Sequence, residues 1–295
     1  MADESATDGH RVAVVLASAG RPALLGETIA DLARQTRAHT LVVSVPDRAS
    51  LPEHGTPPGV QVVFDRGLTA QRNAGLAAVP DADFVFFFDD DAVVREDYLE
   101  HGVRFFVRHP EVVGITGRVL LDGAAGDEIP RPEAEAALSE SGRTPARRRW
   151  APSRELYGCN FAYRPADAGG ERFDERLPLY SWLEDHDFAR RLLRRGRLAK
   201  VEDCVIVHRG VKSGGRVAHT RLGYSQMMNP LYLHHKGSFP AWLAFREIVP
   251  RCGKNLVLAV AGPDAGWRRE RLKGNAAALL DAMRGRFTPE RMLEF

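Results

Sequence analysis

Residues 84–91 read FVFFFDDD, an unbroken apolar run of strand length closed by three consecutive aspartates. Four phenylalanines and a valine in five positions suit a strand covered on both faces, as in the middle of a parallel sheet. Upstream, RVAVVLAS at 11–18 and TLVVSV at 40–45 have the same character. Between them Pro22 opens a helix in which Leu24, Leu25, Ile29 and Leu32 recur at three- to four-residue spacing. VQVVF at 60–64 adds a strand and residues 69–78 a helix, so the order is β-α-β-β-α-β. That alternation predicts an α/β fold with a mainly parallel central sheet flanked by helices. Such sheets bind ligands beyond the carboxyl ends of their strands, where Asp89, Asp90 and Asp91 stand.

Downstream, a helix near 96–107 and a strand near 112–121 continue the pattern. Residues 122–152, rich in Gly, Pro, Ala, Glu and Arg, are expected to form a mobile loop or helical flap, because little apolar surface is available to anchor them. The strand VEDCVIVHRG at 201–210 follows, then a helical region over 221–295. Residues 1–10 are small and polar and read as a flexible leader.

With 41 Lys+Arg against 39 Asp+Glu, the 295-residue chain carries a formal charge of +2, and 44% of its residues are hydrophobic. These values fit a globular protein and argue against a disordered chain, a coiled coil or a fibre. The near-neutral balance also argues against a nucleic-acid partner. Cysteines 159, 204 and 252 are odd in number and far apart, so neither a disulfide framework nor a metal or redox pair is implied and a cytoplasmic setting is expected. The opening MADESATDGHR lacks the charged lead and apolar run of a secretory signal. The apolar run at 256–261 is about a third of the ~20 residues a membrane-spanning helix needs.

Three adjacent carboxylates repel one another, and a divalent cation would relieve that repulsion. The alternative is that one aspartate caps the following helix while the others are solvated. A second acidic group, WLEDHD at 182–187, leads into a helix. Acids there are ordinary partners of the helix dipole, yet Asp185 could also deprotonate an incoming hydroxyl. His208 ends an apolar strand, placing an imidazole at another strand edge, where a structural histidine is one reading. Tyr180 and Trp182 could form an apolar platform or belong to the core. Arg147, Arg148, Arg149 and the series Arg190, Arg191, Arg194, Arg195 and Arg197 read first as solvated faces and second as contacts to a lipid diphosphate or to the anionic inner membrane surface. Trp242, Phe245, Ile248 and Val249 have helical spacing, with core packing the favoured reading over contact with lipid headgroups.

Taken in order, LASAGR (16–21), QRNAG (71–75), FDDD (88–91), GCNFAYR (158–164), FDERL (173–177), EDHD (184–187) and MNPLYLHHK (228–236) resemble the segments of the GT-A-type glycosyltransferases of family 2. The likeness extends over about residues 11–285. It implies the GT-A nucleotide-diphospho-sugar transferase fold with a helical C-terminal extension: a catalytic domain over 11–220, with a nucleotide-binding half (11–121), the loop (122–152) and an acceptor half (153–220), then the helical region 221–295. FDDD resembles the family's DXD motif. By the same resemblance Ala17, Ser18 and Arg21 line the nucleotide pocket, Asp47 contacts the base, and Arg72 and Asn73 hold the ribose or diphosphate. Asp89 and Asp90 serve the nucleotide sugar, Asp91 and Asp89 serve the metal with His208 as a further ligand, and Asp185 is the catalytic base. Asn160, Trp182 and Glu184 lie on the acceptor side. The segment after the second strand reads SVPDR, where the family usually has an Asp-rich turn.

The function so implied is a metal-dependent inverting transfer, with Mn²⁺ or Mg²⁺, of a hexosyl or deoxyhexosyl group. The sugar passes from a UDP- or dTDP-sugar to a hydroxyl of a glycan, lipid-linked glycan or small metabolite, as in polysaccharide biosynthesis. Peripheral contact with the inner membrane face and a homo-oligomeric state are both compatible with it. Two other functions are weighed: a sugar-1-phosphate nucleotidyltransferase, disfavoured because ASAGRP at 17–22 lacks a long Gly-rich, Lys-containing loop, and a catalytically silent nucleotide-sugar-binding protein, disfavoured by the intact acidic segments. No GxGxxG follows the first strand, which argues against a dehydrogenase.

Overall fold

A computed structural model describes residues 9–124, 126–142, 149–212, 218–261 and 265–295. Most of the expected leader, residues 1–8, and Arg147 and Arg148 lie outside the described residues. In chain order the elements are β1 (Val12–Ala17), α1 (Pro22–Leu32), β2 (Thr40–Val45), β3 (Gln61–Phe64), α2 (Leu68–Ala77), β4 (Phe84–Asp89), β5 (Ala92–Val94), α3 (Tyr98–Arg108), β6 (Val112–Asp122) and α4 (Arg131–Ser141). There follow β7 (Trp150–Ser153), β8 (Asn160–Tyr163), α5 (Glu184–Leu192), β9 (Arg197–His208), α6 (His219–His235), α7 (Ala241–Ala261) and α8 (Ala265–Met283). Two units result: Met1–Phe173 with Phe188–Lys212, and Asp174–Asp187 with Ser213–Phe295. Segment 174–187, assigned from the sequence to the catalytic domain, thus groups with the C-terminal helices.

The first unit is built on one nine-stranded sheet of order β3-β2-β1-β4-β8-β6-β9-β5, with β7 also paired to β9. The β3-β2-β1-β4 part is parallel throughout. Beyond β4 the sheet is mixed: β8 runs antiparallel to both β4 and β6, β6 and β9 are parallel, and β5 and β7 are antiparallel to β9.

Side chains of β4 alternate between two cores because successive residues of a strand face opposite sides. Phe84, Phe86 and Phe88 join Leu25, Ile29, Tyr98, Val103 and Phe106 on one side. Val85 and Phe87 join Phe161, Phe173, Phe188 and Leu192 on the other. The five apolar side chains of β4 are buried, and each contributes about 1.5–3 kcal/mol relative to an exposed position. Helix α2 approaches β1 through Gly75, where a Cβ atom would stand 2.4 Å from Val15 Cγ1.

Within 122–152, the stretch expected as a mobile loop or flap, the described residues include α4 and β7. Only Ala134 and Leu138 of α4 are buried, and charge supplies the remaining attachment. Arg131 reaches the buried Asp31 of α1 at 2.6 Å and Glu27 at 3.3 Å, and Arg209 also pairs with Glu27 at 3.0 Å.

The second unit is helical, and α6 and α8 meet through glycines. A Cβ on Gly223 would lie 2.0 Å from the Arg271 carbonyl oxygen, and one on Gly274 would lie 2.1 Å from that of Thr220. At this close crossing Asn275 donates to the Gly223 carbonyl at 2.6 Å, and Tyr224 donates to Asp281 at 2.9 Å. The polar residues of MNPLYLHHK hold segment 174–187: Asn229 donates to the Trp182 carbonyl at 2.9 Å, Tyr232 to Asp174 at 2.7 Å, and Lys236 to Asp174 and Asp187 at 2.6 and 2.9 Å.

Candidate active site

Parallel register brings the chemistry of the first unit to one sheet edge. Ala17, at the end of β1, lies opposite Asp89, at the end of β4, and beside Ser44 of β2. Gln71 of α2 clamps this edge by donating to the carbonyls of Ser18 and Ser44 at 2.9 and 2.8 Å. After Asp89 the chain turns through Asp90 and Asp91 into β5, whose Ala92 pairs with His208 at the end of β9. That antiparallel register puts an imidazole from residue 208 against carboxylates from residues 89 and 91.

Each aspartate has its own task. Asp90 is fully buried; it receives a 2.5 Å hydrogen bond from Ser18 Oγ and the guanidinium of Arg21, while Thr28 donates to its carbonyl at 2.7 Å. Burial raises its carboxyl to about 7, against the opposing pull of Arg21 and Ser18. Asp90 therefore fixes Ser18 and Arg21, two residues expected at the nucleotide pocket. Asp91 accepts from the Val211 amide at 2.9 Å and lies 3.4 Å from His208 Nε2. Burial works against its charge but is outweighed by the histidine, Arg21 and the amide, which hold its carboxyl below the ordinary range. Asp89, a third exposed, faces Arg72 at 3.5 Å and His208 at 3.9 Å.

One donor atom each from Asp89, Asp91 and His208 lies within 4.8 Å of the others. His208 Nδ1 is engaged by Asp122 at 2.9 Å, and Tyr157 donates to the other Asp122 oxygen at 2.6 Å. A carboxylate on one ring nitrogen sets the tautomer and directs the other nitrogen to a cation. Burial would lower the histidine's pKa, but Asp91, Asp89 and Asp122 outweigh it and raise it to about 9. Two carboxylates and an imidazole so arranged fit a divalent cation.

The remaining expected site residues are placed as follows. Arg72 is buried, with its guanidinium 5.3 Å from the ring centres of Phe161 and Phe173, and it donates to the Gly158 carbonyl at 2.9 Å. Asn73 exchanges two hydrogen bonds with the backbone of Phe173, both 2.9 Å. Asp47 is exposed and accepts from the Ser50 amide and hydroxyl, while Ser50 Oγ accepts from the Gly20 amide at 3.1 Å. Asn160, expected on the acceptor side, is fully buried instead: its Oδ1 accepts from Tyr98 Oη at 3.0 Å and from the Gly117 amide at 2.6 Å. Sealed between β6, β8 and α3, it positions the sheet. Asn160→Ala is expected to lower the unfolding free energy by roughly 2–4 kcal/mol, since two buried donors lose their acceptor. Urea unfolding beside acceptor kinetics checks this; a raised acceptor KM at unchanged stability would restore the contact role.

In the second unit, Trp182, Glu184 and Asp185 belong to a segment of unusual backbone. Leu179, Ser181 and Leu183 have φ of 56°, 51° and 76°, left-handed values for residues with side chains, at a cost on the order of 1–3 kcal/mol each. Strain of this kind persists only where surroundings over-determine it, here through Asn229 and Lys236 and through Ser181 Oγ, which donates to the Leu177 carbonyl at 2.6 Å. Glu184 is buried and its carboxylate accepts from the Asp185 amide at 2.5 Å, while Asp185 accepts from the His186 amide at 2.7 Å. The Arg251 guanidinium lies 4.6 Å from the centre of the Trp182 ring.

Sequence reasoning missed Asp122, Tyr157, Gln71 and the Val211 amide. Asp122 was open to the strand-end logic that singled out Asp89, for it closes β6. Gln71 opens the QRNAG segment but its role, like those of Tyr157 and the Val211 amide, depends on a partner far away in the chain.

Among the solved structures similar to this chain in fold are TarS and a mannosyltransferase. TarS from S. aureus matches with a TM-score of 0.51 and 15% identity, covering 87% of this chain, which spans 45% of that protein's length. The mannosyltransferase PcManGT from Pyrobaculum calidifontis, in complex with GDP-Man and Mn²⁺, matches with a TM-score of 0.51 and 18% identity, covering 97% of this chain and 78% of that one. No curated protein matches the sequence. Residues 10–207, well over half of the chain, match the family model described as Glycosyltransferase like family 2, and with the sheet-edge aspartates in place the chain belongs to that family of glycosyltransferases.

Proposed function

We propose that this protein transfers a hexosyl or deoxyhexosyl group, with inversion, from a UDP- or dTDP-sugar to a hydroxyl of a glycan, lipid-linked glycan or small metabolite. The observation that carries the reading is the cluster of Asp89, Asp91 and His208 beside Ser18 and Arg21 at the carboxyl edge of β1 and β4. The mannosyltransferase neighbour, holding GDP-Man and Mn²⁺, supports a nucleotide-sugar donor and a divalent ion here. Asp89, Asp91 and His208 would hold the ion, whose charge would offset the negative charge that builds on the leaving diphosphate.

The chain's own groups supply the rest. Ala17, Ser18 and Arg21 border the nucleotide, with Asp90 fixing the last two. Asp47 contacts the base, and Arg72 and Asn73 support the edge beneath the ribose and diphosphate. Asp185 accepts the acceptor's proton as its oxygen attacks the anomeric carbon, while the bond to the diphosphate breaks with its electron pair leaving on the phosphate oxygen. One displacement on the face opposite the leaving group inverts that centre. Trp182 and Glu184 border the acceptor.

Incubation with a panel of UDP-, dTDP- and GDP-sugars and Mn²⁺ tests the reading. Release of nucleoside diphosphate, dependent on one sugar and stimulated by an acceptor alcohol, is the expected result. Pyrophosphate release from a sugar 1-phosphate and a nucleoside triphosphate would replace it by nucleotidyl transfer. Binding without turnover on any donor would leave a silent nucleotide-sugar-binding protein.

A further inference from the structure

Helix α7 carries apolar side chains on its exposed as well as its buried side. Leu243, Ala244, Ile248, Asn255 and Ala259 are buried within the second unit. On the other side Trp242, Phe245, Val249, Leu256 and Val260 fall within roughly 60° of one another at 3.6 residues per turn, with Val257 at the margin. These six are between 57% and 79% exposed. Core packing, the favoured reading of Trp242, Phe245, Ile248 and Val249 from spacing alone, therefore holds for Ile248 and is corrected for the other three. An aromatic and aliphatic stripe along a 21-residue helix is more exposed apolar surface than scattered single residues explain.

Charge decides what covers it. The single acid of α7, Glu247, is buried and bonded by Arg246 and Arg251 at 3.2 and 2.7 Å, so the charges α7 shows to solvent, Arg246, Arg251 and Lys254, are all positive. Among the described residues from 241 to 286, nine Lys and Arg stand against three acids, and two of those acids, Glu247 and Asp281, are buried in ion pairs. The chain as a whole is only +2, so the remainder is net negative. A second copy docking through this stripe would bring like charges together. A surface of anionic lipid headgroups would meet both the apolar stripe and the basic groups that accompany it. No described helix is long and apolar enough to cross a membrane, in keeping with a helix lying in the interface plane.

We infer that α7 is an interfacial helix that seats the C-terminal unit on an anionic membrane surface, Trp242 and Phe245 entering the headgroup layer. The inference does not depend on the donor, the acceptor or transfer itself.

Co-sedimentation of the full chain with vesicles of phosphatidylcholine, alone or mixed with phosphatidylglycerol and free of any glycolipid, tests it. Binding should require phosphatidylglycerol, weaken with salt, and shift tryptophan emission to the blue, a shift that Trp242→Phe diminishes. The exposed pair Trp242→Ser with Phe245→Ser should lower affinity about tenfold or more, and Lys254→Glu at least about fivefold, with circular dichroism unchanged. Equal binding to neutral and anionic vesicles, no binding by the unaltered protein, or binding untouched by the serine pair would each overturn the inference. So would a concentration-dependent dimer that the serine pair dissociates, since a second copy would then be the occupant.

Discussion

Asp185→Asn is expected to reduce turnover by roughly 10²- to 10⁴-fold, the usual consequence of losing a general base. Asparagine retains a side-chain oxygen able to accept from the His186 amide, as Asp185 does at 2.7 Å. The hydrogen bond from the Asp185 amide to Glu184 is a backbone contact and survives the change. The anchors of the strained segment, Asn229 to the Trp182 carbonyl and Lys236 to Asp174 and Asp187, do not involve residue 185. Donor affinity, read by calorimetry with nucleoside diphosphate, should therefore stay within about twofold while kcat collapses, the signature of an interaction made only in the transition state. Near-normal kcat in this variant would remove Asp185 from the reaction.

Asp91→Ala should carry the next largest effect, a loss of roughly 100-fold or more in Mn²⁺-dependent donor affinity. The substitution withdraws one of three clustered ligand candidates and the acceptor of the Val211 amide, and it takes from His208 a carboxylate at 3.4 Å. Tyr157 and Asp122 stay in place, so the imidazole keeps its Nδ1 partner and the sheet edge keeps its shape. Donor titrations with and without chelator separate the outcomes. The unaltered protein should lose affinity on chelation, and the variant should show little further change. Equal binding by both proteins in both conditions would dismiss a metal role for Asp91.

Much of the first unit was legible because its signals are local. An apolar run such as 84–88 buries both faces whatever its neighbours are, and parallel strands place their carboxyl ends together, so FDDD had to lie at a ligand-binding edge. The short strands β5, β7 and β8 were not legible, for AVV, WAPS and NFAY are too short to show periodicity and, unlike the equally short β3, were not set off as a β-branched run between turn residues. Antiparallel pairing of β8 with β4 and β6 depends on partners more than 40 residues away.

The same distinction separates the site residues. Which aspartate binds which group is a matter of register: Ala92 opposite His208 brings the imidazole to Asp91, and a slip of one residue would have turned it to the other face. Asn160 sits in a motif-like segment, yet the Tyr98 hydroxyl and Gly117 amide claim it for the core. Helical spacing of Trp242, Phe245, Ile248 and Val249 declares that an apolar face exists, while only the packing of the second unit determines that Ile248 is covered and the others meet solvent.

Sequence alone thus determined the strand and helix order from β1 to β4, the acidic edge and the family, since these rest on residue type and near-neighbour spacing. Tertiary structure alone decided the partners of Asp90, Asp91 and His208, the burial of Asn160 and the exposed stripe of α7. Pairing and burial are properties of two surfaces brought together, and a linear pattern describes only one of them.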